Sequence, residues 1–370
     1  MQKTVLNELH AALGARLVEF AGFEMPVLYT DITSEHQTVR QAVGVFDLSH
    51  MGRVRFTGPK ALALASRVQT FDAAGMLQGR VRYALMLTPE GTVMDDILIS
   101  REQDGFLLVI NAGNRAADLE VINAEAARIG ATVRDDSEAL AMVALQGPNA
   151  ATLMERLGLG FATALKYYTF ADGPSDFGAL TISRTGYTGE DGFEILVPRD
   201  NANTLFRAAL DAGADLGARP CGLGCRDTLR LEAGMPLYGH EMDRTVNPFE
   251  AALDHALRSK EDYIGSTRIA AFAKTPPKQR LQALFVDGPQ IPRQGHEIVA
   301  DGQVVGVVCS GTRSPTLGRN IATARIDTSV LDSGVALRVR IRRNEAAAEL
   351  TQLPFYSRKR ASGPQREIKS

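Results

Sequence analysis

Two adjacent carboxylates, Asp95 and Asp96, sit inside Gly91-Thr92-Val93-Met94-Asp95-Asp96-Ile97-Leu98-Ile99, a run that otherwise reads as a buried strand. Acids in such a place are costly unless they are paired, hydrogen-bonded or used. Side chains alternate across a strand, so Asp95 shares a face with Ile97 and Ile99, and Asp96 shares one with Leu98. A regular strand cannot aim both at one point. At most one faces a pocket, and Asp96 is the expected one.

A second stretch, Arg184-Thr185-Gly186-Tyr187-Thr188-Gly189-Glu190-Asp191-Gly192-Phe193-Glu194, has neither the spacing of a dinucleotide fingerprint nor the Lys-Ser/Thr pair of a P-loop. Its glycines imply positive φ and a close approach by something else. Glu194, between Phe193 and Ile195, is expected to be half-buried. A carboxylate there can accept two parallel bonds from adjacent N–H groups of an aromatic heterocycle. A third candidate is Arg226, placed after Gly222-Leu223-Gly224 at the start of a helix running to Glu232. It suits an anionic or carbonyl-bearing ligand; the rest of that helix reads as an ion-paired surface element with Asp227 near Arg230. His50, beside Ser49, reads as a hydrogen-bonded structural histidine rather than a catalytic one. Cys221 and Cys225 have a spacing that suggests metal, but no Cys or His pair nearby completes a set, so no metal is expected.

The elements that would position these groups follow from pattern. Phe20 to Tyr29, with Gly22 and Pro26, reads as a loop, and a helix is expected from Asp31 to Gln41. Strands are expected at Arg53–Phe56, Arg82–Leu87, Val93–Ile99 and Gly105–Ile110, with helices after Gly58-Pro59 and from Asn114 to Ile129, stopping at Gly130. Leu145-Gln146-Gly147-Pro148 repeats the strand, Gly-Pro, Ala-rich helix order of Phe56-Thr57-Gly58-Pro59, which hints at two related modules. Further strands fall at Leu180–Ser183 and Phe193–Val197, with a helix at Asn201–Ala212. After a Pro- and Lys-rich linker near Lys274–Gln279, short alternating strands and an Asp301-Gly302 hairpin turn predict an all-β unit, a small barrel or sandwich. Arg338, Arg340 and Arg342 alternate along one of its strands and read as a solvated face. Arg358 to Ser370 is basic, polar and expected to fray. The fold class is α+β, an antiparallel sheet with helices on one side.

A chain of 370 residues suggests two or three domains, and 45% apolar with 23% charged residues suits a globular protein. A formal net charge of −2 gives no general field for nucleic acid. No run is long and apolar enough to span a membrane, and Met1 to Leu17 lacks signal- and transit-peptide character, so a cytoplasmic place is expected. Three cysteines argue against a disulfide framework.

Taken together, Ser49-His50-Met51-Gly52, Asp95-Asp96, Gln146-Gly147-Pro148, Arg184 through Glu194, Gly222-Leu223-Gly224 with Arg226-Asp227, Tyr238-Gly239-His240-Glu241-Met242, Asn247-Pro248-Phe249-Glu250, Ser310-Gly311-Thr312, Ser314 through Gly318 and Pro354-Phe355-Tyr356 resemble one family in order and over nearly the whole length. That family is the aminomethyltransferase, or T-protein, of the glycine cleavage system. The resemblance implies a three-domain cloverleaf around a central folate pocket, with a C-terminal barrel or jelly-roll-like domain. It divides the chain into 1-50 plus about 138-245, a ferredoxin-like unit of 51-137 plus about 246-275, a β domain of 280-358 and a basic tail of 359-370. It implies transfer of the methylene of an aminomethyl group on the lipoyl arm of H-protein to tetrahydrofolate, releasing ammonia and giving 5,10-methylenetetrahydrofolate.

By the same resemblance Asp96 is the essential acid, stabilising positive charge on the methylene carbon and managing protons. Glu194 is the pterin-clamping acid. Tyr83, Leu98, Val109, Asn111, Tyr167 and Tyr187 line the ring or make polar contacts, Arg226 contacts folate, and Arg293 lies near the lipoyl arm. Two positions depart from the family pattern: Met235 where some members carry a tyrosine, and His255 where many carry a tryptophan. A folate-dependent demethylase of a small N-, S- or O-methyl substrate is the alternative. An accessory role in iron–sulfur or tRNA maintenance goes with a Lys-Gly-Cys-Tyr-type loop, and the loop here has no Cys.

Overall fold

The strand that carries the paired acids, Val93–Arg101, lies second in an antiparallel sheet ordered Val81–Leu87, Val93–Arg101, Gly105–Ile110, Gly52–Thr57, Thr132–Asp135. In the computed structural model, which describes residues 1–259 and 262–358, this sheet uses its two faces differently. Ala84, Met86, Ile97, Ile99, Phe106 and Phe56 pack against helices Ala61–Val68 and Arg115–Ile129. Burying each of the large side chains stabilises the layer by about 1.5–3 kcal/mol. On the other face Tyr83, Leu98 and Val109 stand in register across three neighbouring strands. Helix Arg115–Ile129 ends at Gly130, whose φ of +75° is a left-handed C-cap.

A second sheet is ordered Phe170–Ser175, Gly178–Ser183, Gly192–Pro198, Leu140–Gln146, Val43–Asp47, Ala218–Pro220. It is antiparallel except for its last pair. Helices Asn7–Ala12, Ala150–Arg156 and Ala202–Ala212 cover one face through Leu9, Leu153, Met154, Leu205 and Phe206. The two sheets meet through Phe46, Leu48, Met142, Ala144 and Leu107, against helix Leu223–Glu232. Both Gly-Pro junctions are strand-to-helix turns, with Gly58 at φ +78° and Gly147 at φ +136°.

The C-terminal unit is a closed six-stranded barrel: Gln279–Val286, Asn320–Asp327, Gln303–Arg313, Glu297–Ala300, Leu337–Ile341 and Asn344–Thr351, the last pairing back to the first. Asp301 and Gly302 both have positive φ in the two-residue turn between Glu297–Ala300 and Gln303–Arg313. Arg340 pairs with Glu297 and Glu345 on the outer surface.

Two expectations are corrected. The Phe20–Tyr29 segment is not a loop: Arg16–Phe20 and Phe23–Leu28 form a hairpin turning at Ala21 and Gly22. Pro26 sits in that small three-stranded sheet at a register shift, where its missing N–H does no harm. Helix Leu223–Glu232 is not a surface element either. Arg230 and Glu232 are both buried, because the barrel closes over them. Arg230 meets Glu241 at 3.0 Å and Ser310 at 2.7 Å. Glu232 accepts from Arg40 at 2.9 Å, from the Thr316 hydroxyl at 2.7 Å and from the Ser314 hydroxyl. The basic tail 359–370 lies outside the described residues. Among the described residues no helix is long and apolar enough to cross a membrane.

Candidate functional site

Between the two sheets and the barrel opens a cavity of about 960 Å³. Tyr83, Asp96, Leu98, Val109, Asn111, Tyr187, Glu194 and Arg226 all line it. Residues far apart in sequence thus meet at one place.

Asp95 and Asp96 part company as alternation requires. Asp95 is fully buried on the helix side of its strand, while Asp96 lines the cavity. They remain linked through one amide. Asn111, just past the next strand, donates from Nδ2 to Asp95 Oδ1 at 2.9 Å and to Asp96 Oδ1 at 2.8 Å. Its backbone N–H also reaches Asp95 Oδ2 at 3.0 Å, and Asn114 Nδ2 reaches Asp95 Oδ1 at 2.6 Å. Tyr83 donates its hydroxyl to Asp96 Oδ2 at 3.2 Å. Burial, with the Asp95 charge behind it, pushes the Asp96 carboxyl up to about 7, against the pull of these hydrogen bonds. Such a carboxyl exchanges a proton near neutrality, as an acid–base group needs.

Across the cavity, the glycine-rich loop is shaped by the protein's own Gln146. A Cβ at Gly186 would stand 2.0 Å from Gln146 Oε1, and one at Gly192 would stand 2.4 Å from Gln146 Nε2. Gln146 in turn accepts from Thr188 and donates to the Thr185 carbonyl. The close approach implied by the glycines is therefore internal, and it fixes the loop that carries Tyr187. Tyr187 donates to the Pro236 carbonyl, and the Arg226 guanidinium lies 4.6 Å from its ring centroid. Burial raises the Glu194 carboxyl, while the Thr185 hydroxyl that donates to it and the Arg226 charge pull it down. Burial also pushes Arg226 down. An arginine held in a cavity wall against an aromatic face is a ready partner for an incoming anion.

Two assigned residues fall elsewhere. Tyr167 is 45% exposed and does not line the cavity; its neighbour Tyr168 does. The two lie in the turn before Phe170–Ser175, where Tyr168 takes a left-handed φ of +61° and its ring stands edge-on to Tyr167 at 4.8 Å. Arg293 is exposed on a barrel turn, where it donates to the Gly311 carbonyl at 3.2 Å; it is not among the cavity residues. The two departures noted in the sequence, Met235 and His255, both line the cavity, and His255 stacks on Tyr83 with 6.2 Å between centroids and 13° between planes.

His50 also lines the cavity. It is buried, edge-on to Phe20 at 5.7 Å, and its Nδ1 has no partner. Burial drives it down to about 4, so it is a neutral aromatic wall. The ligand atoms of Cys221, Cys225 and Glu35 lie within 4.8 Å of one another. The Glu35 carboxylate is already taken by the N–H groups of Tyr29, Thr30 and Gly222, and both thiols belong to the core. Asp118, which the sequence reading passed over, lies buried beneath Asp95.

Residues 6–261 match the GCVT N-terminal domain, and residues 278–357 match the glycine cleavage T-protein C-terminal barrel domain. An aminomethyltransferase of Symbiobacterium thermophilum is 44% identical over 96% of this chain and 97% of its own length. One from Bacillus subtilis is 38% identical over 97% of this chain and 100% of its own. The crystal structure of the glycine cleavage system aminomethyltransferase T from Bartonella henselae superposes with a TM-score of 0.90, at 31% identity over 96% of this chain and 98% of that one.

Proposed function

Since the chain belongs to the glycine cleavage T-protein family and is an aminomethyltransferase, we propose that its central cavity takes tetrahydrofolate beside the lipoyl arm of an H-protein. The observation that carries this reading is Asp96, a cavity-facing carboxyl with a proton affinity near neutrality, set opposite Glu194 in one space of about 960 Å³. That volume is at the upper end of the roughly 300–1,000 Å³ usual for small-molecule sites, enough for a pterin co-substrate and the end of a carrier arm. The wall chemistry fits: Tyr83, Tyr168 and Tyr187 offer aromatic surface, Glu194 suits adjacent pterin N–H donors, and Arg226 suits a carboxylate-bearing tail.

The reaction breaks the C–S and C–N bonds of a thioaminomethyl group. It forms two C–N bonds to the folate amines, and the two amine protons leave on ammonia and on the freed thiol. No electrons are gained or lost overall. Ionised Asp96 stabilises positive charge as it develops on the transferred carbon, and accepts or returns a proton at its Oδ atoms. Asn111 and Tyr83 hold it in place. The nonpolar wall of Leu98, Val109 and neutral His50 keeps water from the carbon.

On this reading the protein works in the cytoplasm with a lipoylated partner, and the chain divides into 1–50 with 138–245, 51–137 with 246–275, and 280–358. The deciding experiment is transfer from purified aminomethylated H-protein to tetrahydrofolate, with each component withheld in turn. Ammonia and methylenetetrahydrofolate should form only when all are present. Methyl transfer to tetrahydrofolate from a small N-, S- or O-methyl compound without the carrier would replace this reading with the demethylase.

A further inference from the structure

Three carboxyls gather at the Val93–Arg101 strand, Asp95 and Asp118 on its helix side and Asp96 on its cavity side. Their surroundings are unequal. Asp95 is served by three amide donors, the Asn111 backbone and side chain and the Asn114 side chain. Asp96 has two side-chain donors, the Asn111 amide and the Tyr83 hydroxyl. Asp118, fully buried, has both oxygens without an N–H or O–H donor. The group it meets is the Asp95 carboxylate. Two carboxyl oxygens approach each other in a dry interior only when one carries a proton, and the member without donors is the one that must carry it.

We propose that Asp118 is a positioning residue for the transfer chemistry: a neutral carboxylic acid that donates its proton to Asp95, and through Asp95 and Asn111 sets the orientation and charge of Asp96. The role assigned to Asp96 rests on the folate reading above; the proton on Asp118 does not. Asp95 thus remains the single anion of the buried pair. It faces the first turn of the 15-residue helix Arg115–Ile129, whose amide dipoles favour negative charge there. As a fixed anion it orients the Asn111 amide with its NH₂ toward both aspartates, and it raises Asp96 by repulsion. Burial and the neighbouring Asp95 push Asp118 up to about 10. The cation that acts on Asp118 is Arg244, an exposed residue of a separate loop, and Tyr238 from the same segment also faces Asp95.

The test has two parts. Infrared spectra of the whole protein, taken well above the value of about 7 at which Asp96 ionises, should contain the C=O stretch of a protonated buried carboxyl. Asp118→Asn, which keeps a donor toward Asp95, should lose it. In transfer assays Asp118→Asn should keep kcat within about twofold and leave the acid limb of its pH profile in place. Asp118→Leu, of similar size but without a donor, lets Asp95 take up the proton itself. Its acid limb should move about one pH unit downward, and kcat should fall, with folate affinity unchanged. A stable Asp118→Leu with an unmoved limb and normal kcat would overturn the proposal, as would a wild-type spectrum without the band or an Asp118→Asn spectrum that retains it. If Asp118→Leu does not fold, the infrared pair and the retained activity of Asp118→Asn decide alone. Full activity in Asp96→Asn would instead overturn the reading of the cavity, leaving the band to judge the proton.

Discussion

The floor of the cavity and the joint beneath the barrel are both buried and both rich in carboxylates, yet they are built on opposite terms. At the joint every acid has a cation. Glu232 takes Arg40 and His36 along with the hydroxyls of Ser314 and Thr316, and sits at about 2 despite burial. Glu241 takes Arg230 and is held below its ordinary value. At the floor the donors to Asp95 and Asp96 are amides and a phenol, and burial pushes all three aspartates up. Paired charges are spent on holding domains together; unpaired ones are left able to titrate. Perturbation of a pKa alone does not mark a site, but its direction separates the ion-paired joint from the cavity floor here.

The contrast can be broken most sharply at Asp96. Asp96→Asn should cut kcat by roughly 10³-fold or more while tetrahydrofolate still binds, and single-turnover transfer would read this; a fast Asp96→Asn enzyme would leave the floor with no working acid. On the proposed mechanism ionised Asp96 is the useful form, so transfer should climb as pH rises through about 7, and a profile flat from about pH 6 to about 8 would contradict that. The joint should fail in stability instead. Glu232→Ala strands Arg40 and His36 and should cost about 3–5 kcal/mol in urea unfolding, with turnover of the folded fraction little changed. The sign follows from its lowered value: the contribution of Glu232 is complete above its ordinary value of 4.5 and is lost as pH falls toward about 2.

Smaller effects lie along the cavity wall. Glu194→Ala should weaken tetrahydrofolate binding by roughly 10- to 100-fold, the worth of charge-assisted hydrogen bonds. Equilibrium titration checks it, and unchanged affinity would remove Glu194 from the binding role. Arg226→Ala should cost least, about three- to tenfold in affinity, with the difference from wild type shrinking as salt is raised. A salt-independent loss would mean that the guanidinium serves to pack Tyr187 rather than to meet an anion.

Much of this was legible in the residues. Strict alternation was enough to separate Asp95 from Asp96, because strand geometry leaves no choice of face. Asp301-Gly302 named its own turn, and the barrel strands followed from short alternating runs. What escaped detection depended on partners distant in sequence. The hairpin Arg16–Leu28 was hidden because Gly22 and Pro26 look like breakers unless a tight turn takes the one and a register shift accommodates the other. Helix Leu223–Glu232 has the charge pattern of a solvated face, and only the barrel closing over it makes that face interior. Tyr168 takes the cavity place expected of Tyr167, in a turn whose left-handed residue no periodicity announces. Asp118 looked like an ordinary acid in the first turn of a helix. The signal that could have found it is its spacing of four from Asn114, which stands just before the helix and turns its side chain to Asp95.

The second sheet has a consequence for how the chain must be assembled as it is made. Val43–Asp47 is buried along its whole length, but its neighbours in the sheet, Leu140–Gln146 and Ala218–Pro220, lie far downstream. Leu140 is about a hundred residues later, so on a ribosome the strand waits roughly 5–20 s for its first partner. The intervening strands, Gly52–Thr57 through Thr132–Asp135, close a sheet among themselves. The sheet bearing Asp96 is thus complete before the one bearing Glu194 can begin to zip, and the two walls of the cavity are assembled in that order. Proteolysis of stalled nascent chains should reveal a protected fragment spanning about 52–135 before any that includes Val43; protection of Val43 first would reverse the order.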